Sequence, residues 1–200
     1  MTPRYDAIVL GTGAAGMMAA ATAGARGKRV LLLDHADAPV QPVALGPVLS
    51  EVRANLYARV AQRGAHIDLQ PLPEVMGTDS LLSALFQNLV SNAIKFVPPE
   101  RAPEVRIWSM PDADADADAA YVRVVVADNG IGIAALDQAL LFQPFKRLNA
   151  RRKFEGTGLG LAICYRVAVA LGGAITIESA ADTVGSRFVV RLRRSVVSPG

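Results

Sequence analysis

Four short segments in the second half of this chain, Asn88-Leu-Val-Ser-Asn92-Ala-Ile-Lys95, Asp128-Asn-Gly130-Ile-Gly132, Phe142-Gln-Pro144-Phe145 and Gly156-Thr157-Gly158-Leu159-Gly160-Leu161, follow one another in an order and spacing that together suit a nucleotide site. The first rides on a run from Leu81 to Phe96 in which Leu82, Leu85, Leu89 and Ala93 recur at three- and four-residue spacing, which predicts an amphipathic helix. Asn88, Asn92 and Lys95 then fall on a neighbouring face at i, i+4 and i+7, offering two amide oxygens and an ammonium in one direction. Such a set suits a phosphate carrying Mg²⁺, because the ion takes hard oxygen ligands and the ammonium neutralises charge that the metal does not.

The remaining segments supply what a nucleotide still needs. Tyr121 to Ala127 is a β-branched, aromatic run, so Asp128 stands at the end of a strand, and Gly130 and Gly132 let the backbone turn close to a ligand. A carboxylate there can accept from an exocyclic amine such as that of adenine. Gly156, Gly158 and Gly160 precede an apolar helical run, Leu161 to Leu171, and present backbone N–H groups to phosphates at a helix N-terminus. The long segment from Asn129 to Thr157, with Lys146, Arg147, Arg151, Arg152 and Lys153, reads as a lid. Taken singly, each segment has a plainer reading as solvated helix, hairpin turn or basic surface. All four in order favour the nucleotide site.

From about Gln41 to Arg194 the chain resembles the ATP-binding catalytic domain of sensor histidine kinases, within the gyrase, chaperone, kinase and mismatch-repair ATPase superfamily. The resemblance implies a two-layer α/β sandwich, a mixed sheet of about five strands covered by three helices. It also implies that Asn92 ligates Mg²⁺, that Asn88 and Lys95 approach the phosphates, and that Asp128 reads adenine with Gly130 and Gly132 beside it. Phe145 and Arg151 would belong to the lid, and Gly156, Thr157, Gly158, Leu159 and Gly160 would close over the triphosphate. ATPases of this superfamily place a glutamate one turn before the metal-binding asparagine; here that position is Asn88, a neutral amide unable to activate water.

The first forty residues read differently. A strand from Tyr5 to Leu10, the glycines Gly11, Gly13 and Gly16, an Ala-rich helix from Met17 to Ala25 and a second strand from Arg29 to Leu33 ending at Asp34 form a β-α-β Rossmann-like fragment. It resembles the N-terminal segment of flavin-dependent oxidoreductases over residues 5 to about 38. The rest of a dinucleotide fold does not follow it, so a truncated, degenerate fingerprint in 1–40 ahead of a kinase-type domain in 41–200 is expected, with no FAD bound. Residues 7 to 25 carry no charge, yet their glycines and threonines and Asp6 weaken a spanning helix or signal peptide. No membrane partner and a cytoplasmic location are the expectation.

With 52% hydrophobic and 20% charged residues, the chain can core one domain with an appendage. Its net charge of +3 draws on the lid, where ATP is the nearer anion, and on Arg191, Arg193 and Arg194, which read as solvated, so no nucleic acid is expected. Asp112-Ala-Asp114-Ala-Asp116-Ala-Asp118 lacks the glycine and final glutamate of a calcium loop and reads as a flexible hairpin connection. Cys164, the sole cysteine, falls on the last apolar helix and reads as buried and inert.

Family kinases phosphorylate a histidine on a two-helix dimerisation segment marked by His-Glu followed by Arg and Pro. Neither His35 nor His66 has that context. No catalytic phosphoacceptor is therefore identified, and phosphoryl transfer to a histidine supplied in trans, with a response regulator downstream in a phosphorelay, is the leading expectation. The alternatives are an ATP-binding module without turnover and, ranked last, an FAD- or NAD-dependent oxidoreductase.

Overall fold

The computed structural model describes residues 7–10, 21–24, 26–27, 30–33, 39–112, 120–138, 140–143, 158–178 and 184–195. Strands β1 (Ala7–Leu10) and β2 (Val30–Leu33) pair in parallel, with Ala7 opposite Val30, and residues 21–24 between them are helical. A parallel pair needs a crossover connection, so this is the β-α-β order expected of the segment. Gly11, Gly13, Gly16, Asp34 and His35 lie outside the described residues, as do Pro144, Phe145, Lys146, Arg147, Arg151, Arg152, Lys153, Gly156 and Thr157.

The chain continues through β3 (Gln41–Ala44), α1 (Leu45–Asn55), α2 (Tyr57–Arg63), β4 (His66–Leu69), β5 (Glu74–Gly77), α3 (Asp79–Lys95), β6 (Glu104–Pro111) and β7 (Tyr121–Asp128). Then come α4 (Ala135–Gln138), α5 (Gly160–Ala170), β8 (Ala174–Ile177) and β9 (Arg187–Arg193). Five strands form one sheet in the order β4-β6-β7-β9-β8, parallel at β4–β6 and antiparallel elsewhere. This is the expected mixed sheet. A separate antiparallel ribbon of β3 and β5 joins the end of β9 through a bridge between Val75 and Arg194, with the Ser195 N–H donating to Glu74 O at 3.2 Å.

Period-two alternation points Val105 and Ile107 of β6, Val122, Val124 and Val126 of β7, and Phe188, Val190 and Leu192 of β9 into one core with the helices. The predicted α3 stripe, Leu82, Leu85, Leu89 and Ala93, is buried there. Phe86, Val90 and Ile94 are buried as well, because α3 rests on β6 and β7 and is flanked by α1 and α5. Each such fully buried large side chain contributes about 1.5–3 kcal/mol. Thr78 starts the helix by accepting from the Leu81 N–H on its hydroxyl at 3.4 Å. Cys164 is buried too, its thiol donating to Leu85 O at 3.6 Å, and burial pushes its pKa far up, as inertness requires.

Val125 and Val189 pair across β7 and β9 and are also buried, although they point away from that core. Trp108 of β6 stands opposite Val125, and the Arg187 guanidinium lies 5.6 Å from the centre of its ring. The carboxy-terminal arginines depart from expectation. Arg193 and Arg194 are exposed, but Arg191 pairs with Asp112 and stacks on Tyr121, 3.6 Å from the ring centre. Asp112 is consequently buried at the end of β6 and not part of a flexible connection. The antiparallel register puts Arg191 within reach across β7, and the guanidinium offsets the cost of burying the carboxylate. Among the described residues, no helix is long and apolar enough to cross a membrane.

Candidate nucleotide-binding site

The asparagines of α3 meet the start of α5. A β-carbon placed on Gly160 would lie 2.8 Å from Asn88 Oδ1 and 3.8 Å from Asn92 Nδ2, so a side chain there would displace Asn88 and touch Asn92. Asn88 Nδ2 donates to Ala84 O at 2.8 Å, one turn back, which fixes its amide with the oxygen toward Gly160. Leu159 at the α5 N-cap offers no side-chain acceptor, and the first-turn N–H groups of a helix are donors suited to an anion. Gly158 just before it adopts φ 74°. Lys95 ends α3, about 10 Å further along the axis than Asn88, and its ammonium sits 4.6 Å from the centre of the Phe96 ring.

Asp128 ends β7 as expected and is largely buried. Gly130 N–H and Ser186 N–H both donate to its Oδ1, at 2.8 and 3.1 Å, and Asp128 N–H donates to Ser186 O at 2.9 Å. Burial raises the Asp128 carboxyl from its ordinary 3.8 to about 6, against the downward pull of those two N–H donors. Desolvation wins.

The turn after Asp128 is tied down at several points, contrary to a lid that begins at residue 129. Asn129 Nδ2 donates to Ala102 O at 2.9 Å, Asn129 Oδ1 accepts from Glu104 N–H at 3.0 Å, and Arg101 donates to Asn129 O at 2.6 Å. Ile131 N–H donates to Phe96 O at 3.0 Å, and a β-carbon on Gly130 would come within 2.7 Å of that same oxygen. These bonds make residues 129–131 the floor of the site. Gly132 follows with φ 70°. Phe142, the first aromatic of the third segment, packs partly against the core and lies 5.8 Å, centre to centre, from the Tyr165 ring of α5.

Asn88, Asn92, Asp128, Gly130 and Gly160 are legible in the sequence as site residues, whereas Gly185 and Ser186 are not. Gly185 has φ 95°, and a β-carbon on it would lie 1.7 Å from Asp128 O. Its signal in the sequence is faint, a Gly-Ser pair ahead of the alternating run of β9. Among the described residues, no group of three His, Cys, Asp or Glu side chains could hold a metal ion. A cation in this site would therefore rely on amide and phosphate oxygens.

A family model described as histidine kinase-, DNA gyrase B-, and HSP90-like ATPase matches residues 77–196, and an FAD binding domain model matches residues 6–40. The phytochrome-like protein Cph1 of Synechocystis sp. is 38% identical over 132 residues, 66% of this chain and 17% of that protein. The chain thus spans a small part of that relative. The solved mycobacterial sensor histidine kinase MprB superposes with a TM-score of 0.62 at 27% identity, over 78% of this chain and 100% of that one. Full-length ShkA, solved in complex with AMPPNP, gives 0.62 and 27% over 78% of this chain and 32% of its own. The chain belongs to the histidine kinase-, DNA gyrase B- and HSP90-like ATPase family, with the fold of a histidine kinase ATP-binding catalytic domain.

Proposed function

We propose that residues 41–200 bind Mg-ATP and transfer its γ-phosphoryl group to a histidine on another chain, as the catalytic domain of a two-component kinase in the cytoplasm. In this reading residues 1–40 are a separate dinucleotide-fold fragment that holds no FAD. The observation that carries it is the approach of Asn88 and Asn92 to the uncapped start of α5, with the buried Asp128 carboxylate held on a fixed floor. ShkA's complex with AMPPNP supports it by analogy. The Asp128 carboxylate would accept from the adenine amine, and the N–H groups at the α5 start would bind phosphates. Asn92 would hold Mg²⁺, whose charge draws electron density from the phosphate oxygens when bound. In the transfer, an imidazole nitrogen bonds to the γ-phosphorus, the bond to the bridging oxygen breaks and ADP departs. Asn88 leaves water without a general base, so the phosphoryl group is kept for the histidine. A response regulator would then take it on.

The test is γ-labelled ATP, given to the chain alone and with a separately made acceptor-helix pair of this family. Acid-labile label on the added helices, abolished by Asn92→Ala, is the expected result, with hydrolysis in the absence of helices near background. Label at His35 or His66 would overturn transfer in trans. Nucleotide binding with no label anywhere would favour the module without turnover.

The raised carboxyl of Asp128 gives two pH trends of opposite sign. Its folded pKa of about 6 exceeds the ordinary 3.8, so its contribution to stability is full below about 4 and lost as pH rises through 6. Adenine, by contrast, needs the ionised carboxylate. Calorimetric ATP affinity should fall by roughly tenfold per pH unit below 6, while this group steadies the empty chain. Asp128→Asn should flatten both trends. A pH-independent difference between the two proteins would rule the assignment out.

A further inference from the structure

Helix α2 buries none of its own residues, and polar bonds fasten it to the end of α3. Arg59 donates to the Ser91 hydroxyl, and one turn later Arg63 donates to Val97 O at 3.0 Å and Pro98 O at 3.3 Å. Those carbonyls follow the C-terminus of α3, where backbone acceptors lack helical partners and the helix dipole favours a cation. The carbonyl just before them, Phe96 O, belongs to the adenine floor, receiving Ile131 N–H and lying against Gly130. Three consecutive carbonyls, 96, 97 and 98, are therefore fixed from two sides, the first by the floor and the next two by Arg63. Phe96 O keeps its bond from Ile131 N–H, but the soft dihedrals between adjacent peptide planes let it shift once Arg63 no longer holds carbonyls 97 and 98. Gly130, whose N–H aligns Asp128 Oδ1, rests on that oxygen.

We propose that Arg63 is a positioning residue for adenine recognition, acting through the 96–98 carbonyls and the Gly130–Ile131 turn on the Asp128 carboxylate. This rests on the nucleotide reading above and adds to it a side chain that never touches the ligand. It also makes α2 a place from which adenine binding can be tuned, since a partner that draws α2 away would loosen the floor.

The experiment measures ATP and GTP affinities by calorimetry, well below each protein's melting temperature, for the unmutated chain, Arg63→Ala, Arg63→Lys and Asp128→Ala. GTP has a carbonyl where ATP has its amine, so it gains nothing from Asp128, and a purely structural loss would lower both affinities together. Arg63→Ala should weaken ATP by roughly three- to tenfold, the scale of a charge-assisted bond passed on in part, and GTP much less. Arg63→Lys should recover part of the preference. Combining Arg63→Ala with Asp128→Ala should cost little more than Asp128→Ala alone, since both act on one bond. An ATP preference left intact in Arg63→Ala, or equal weakening of both nucleotides, overturns the role of Arg63. Equal binding of ATP and GTP by the unmutated chain instead overturns the adenine assignment beneath it.

Discussion

Asp128→Ala is expected to weaken Mg-ATP affinity by about 30- to 100-fold, equivalent to about 2–2.7 kcal/mol. The substitution removes the proposed acceptor for the adenine amine and leaves the Gly130 and Ser186 N–H groups without the oxygen on which they converge. Asparagine separates the two losses. Its amide oxygen can still take both backbone donors, while its NH₂ would face the adenine amine, donor against donor. Asp128→Asn should therefore bind as poorly as alanine yet melt no lower than the unmutated protein at pH 7, because the neutral amide escapes the desolvation that raises the carboxyl. Titration calorimetry gives the affinities and thermal unfolding gives the second comparison. An affinity within about threefold of the unmutated chain in either variant would remove Asp128 from the adenine contact.

Gly185→Ala should produce the largest loss of stability from a single methyl group, about 3 kcal/mol or more. At φ 95° an L-residue is strained, and its β-carbon would stand 1.7 Å from Asp128 O and 3.0 Å from the Asn129 Cα. Backbone on both sides must give way, which carries the Ser186 N–H off Asp128. Gly172 is the control. It has φ 69° with nothing near its missing β-carbon, so Gly172→Ala meets only the strain of the left-handed region, about 1–2 kcal/mol. Thermal melts of the two should differ by several degrees, and only Gly185→Ala should also lose nucleotide affinity. Equal melting of the two variants would mean that the Gly185 turn can shift freely.

Side chains with distinctive chemistry were legible in the sequence, whereas positions acting through the main chain were not. The stripe on α3 and the spacing of Asn88 and Asn92 follow from helix geometry alone, so both emerge without knowledge of neighbours. Ser186 lies 58 residues from Asp128 and serves it with an N–H that nearly every residue possesses. Nothing in its side chain marks that role. Arg63 is hidden for the same reason, since its partners are carbonyls 34 and 35 residues away. Asp112 and Arg191 looked like surface charges because their pairing depends on the joint register of β6, β7 and β9. Strand β3 is four residues long and contains Pro42, too short for alternation to register. Segment length alone starts a lid at Asn129, which is too early, because the bonds that pin Asn129 reach distant backbone.

Trp108 is the only tryptophan in the chain, and the guanidinium over its ring belongs to Arg187, the residue immediately after Ser186. An indole's emission responds to a charge moving across its face, and this charge sits one peptide bond from the group that holds Asp128. If Asp128 takes adenine as proposed, Trp108 emission is expected to change on nucleotide binding, and stopped-flow measurement without an attached dye would follow arrival and departure.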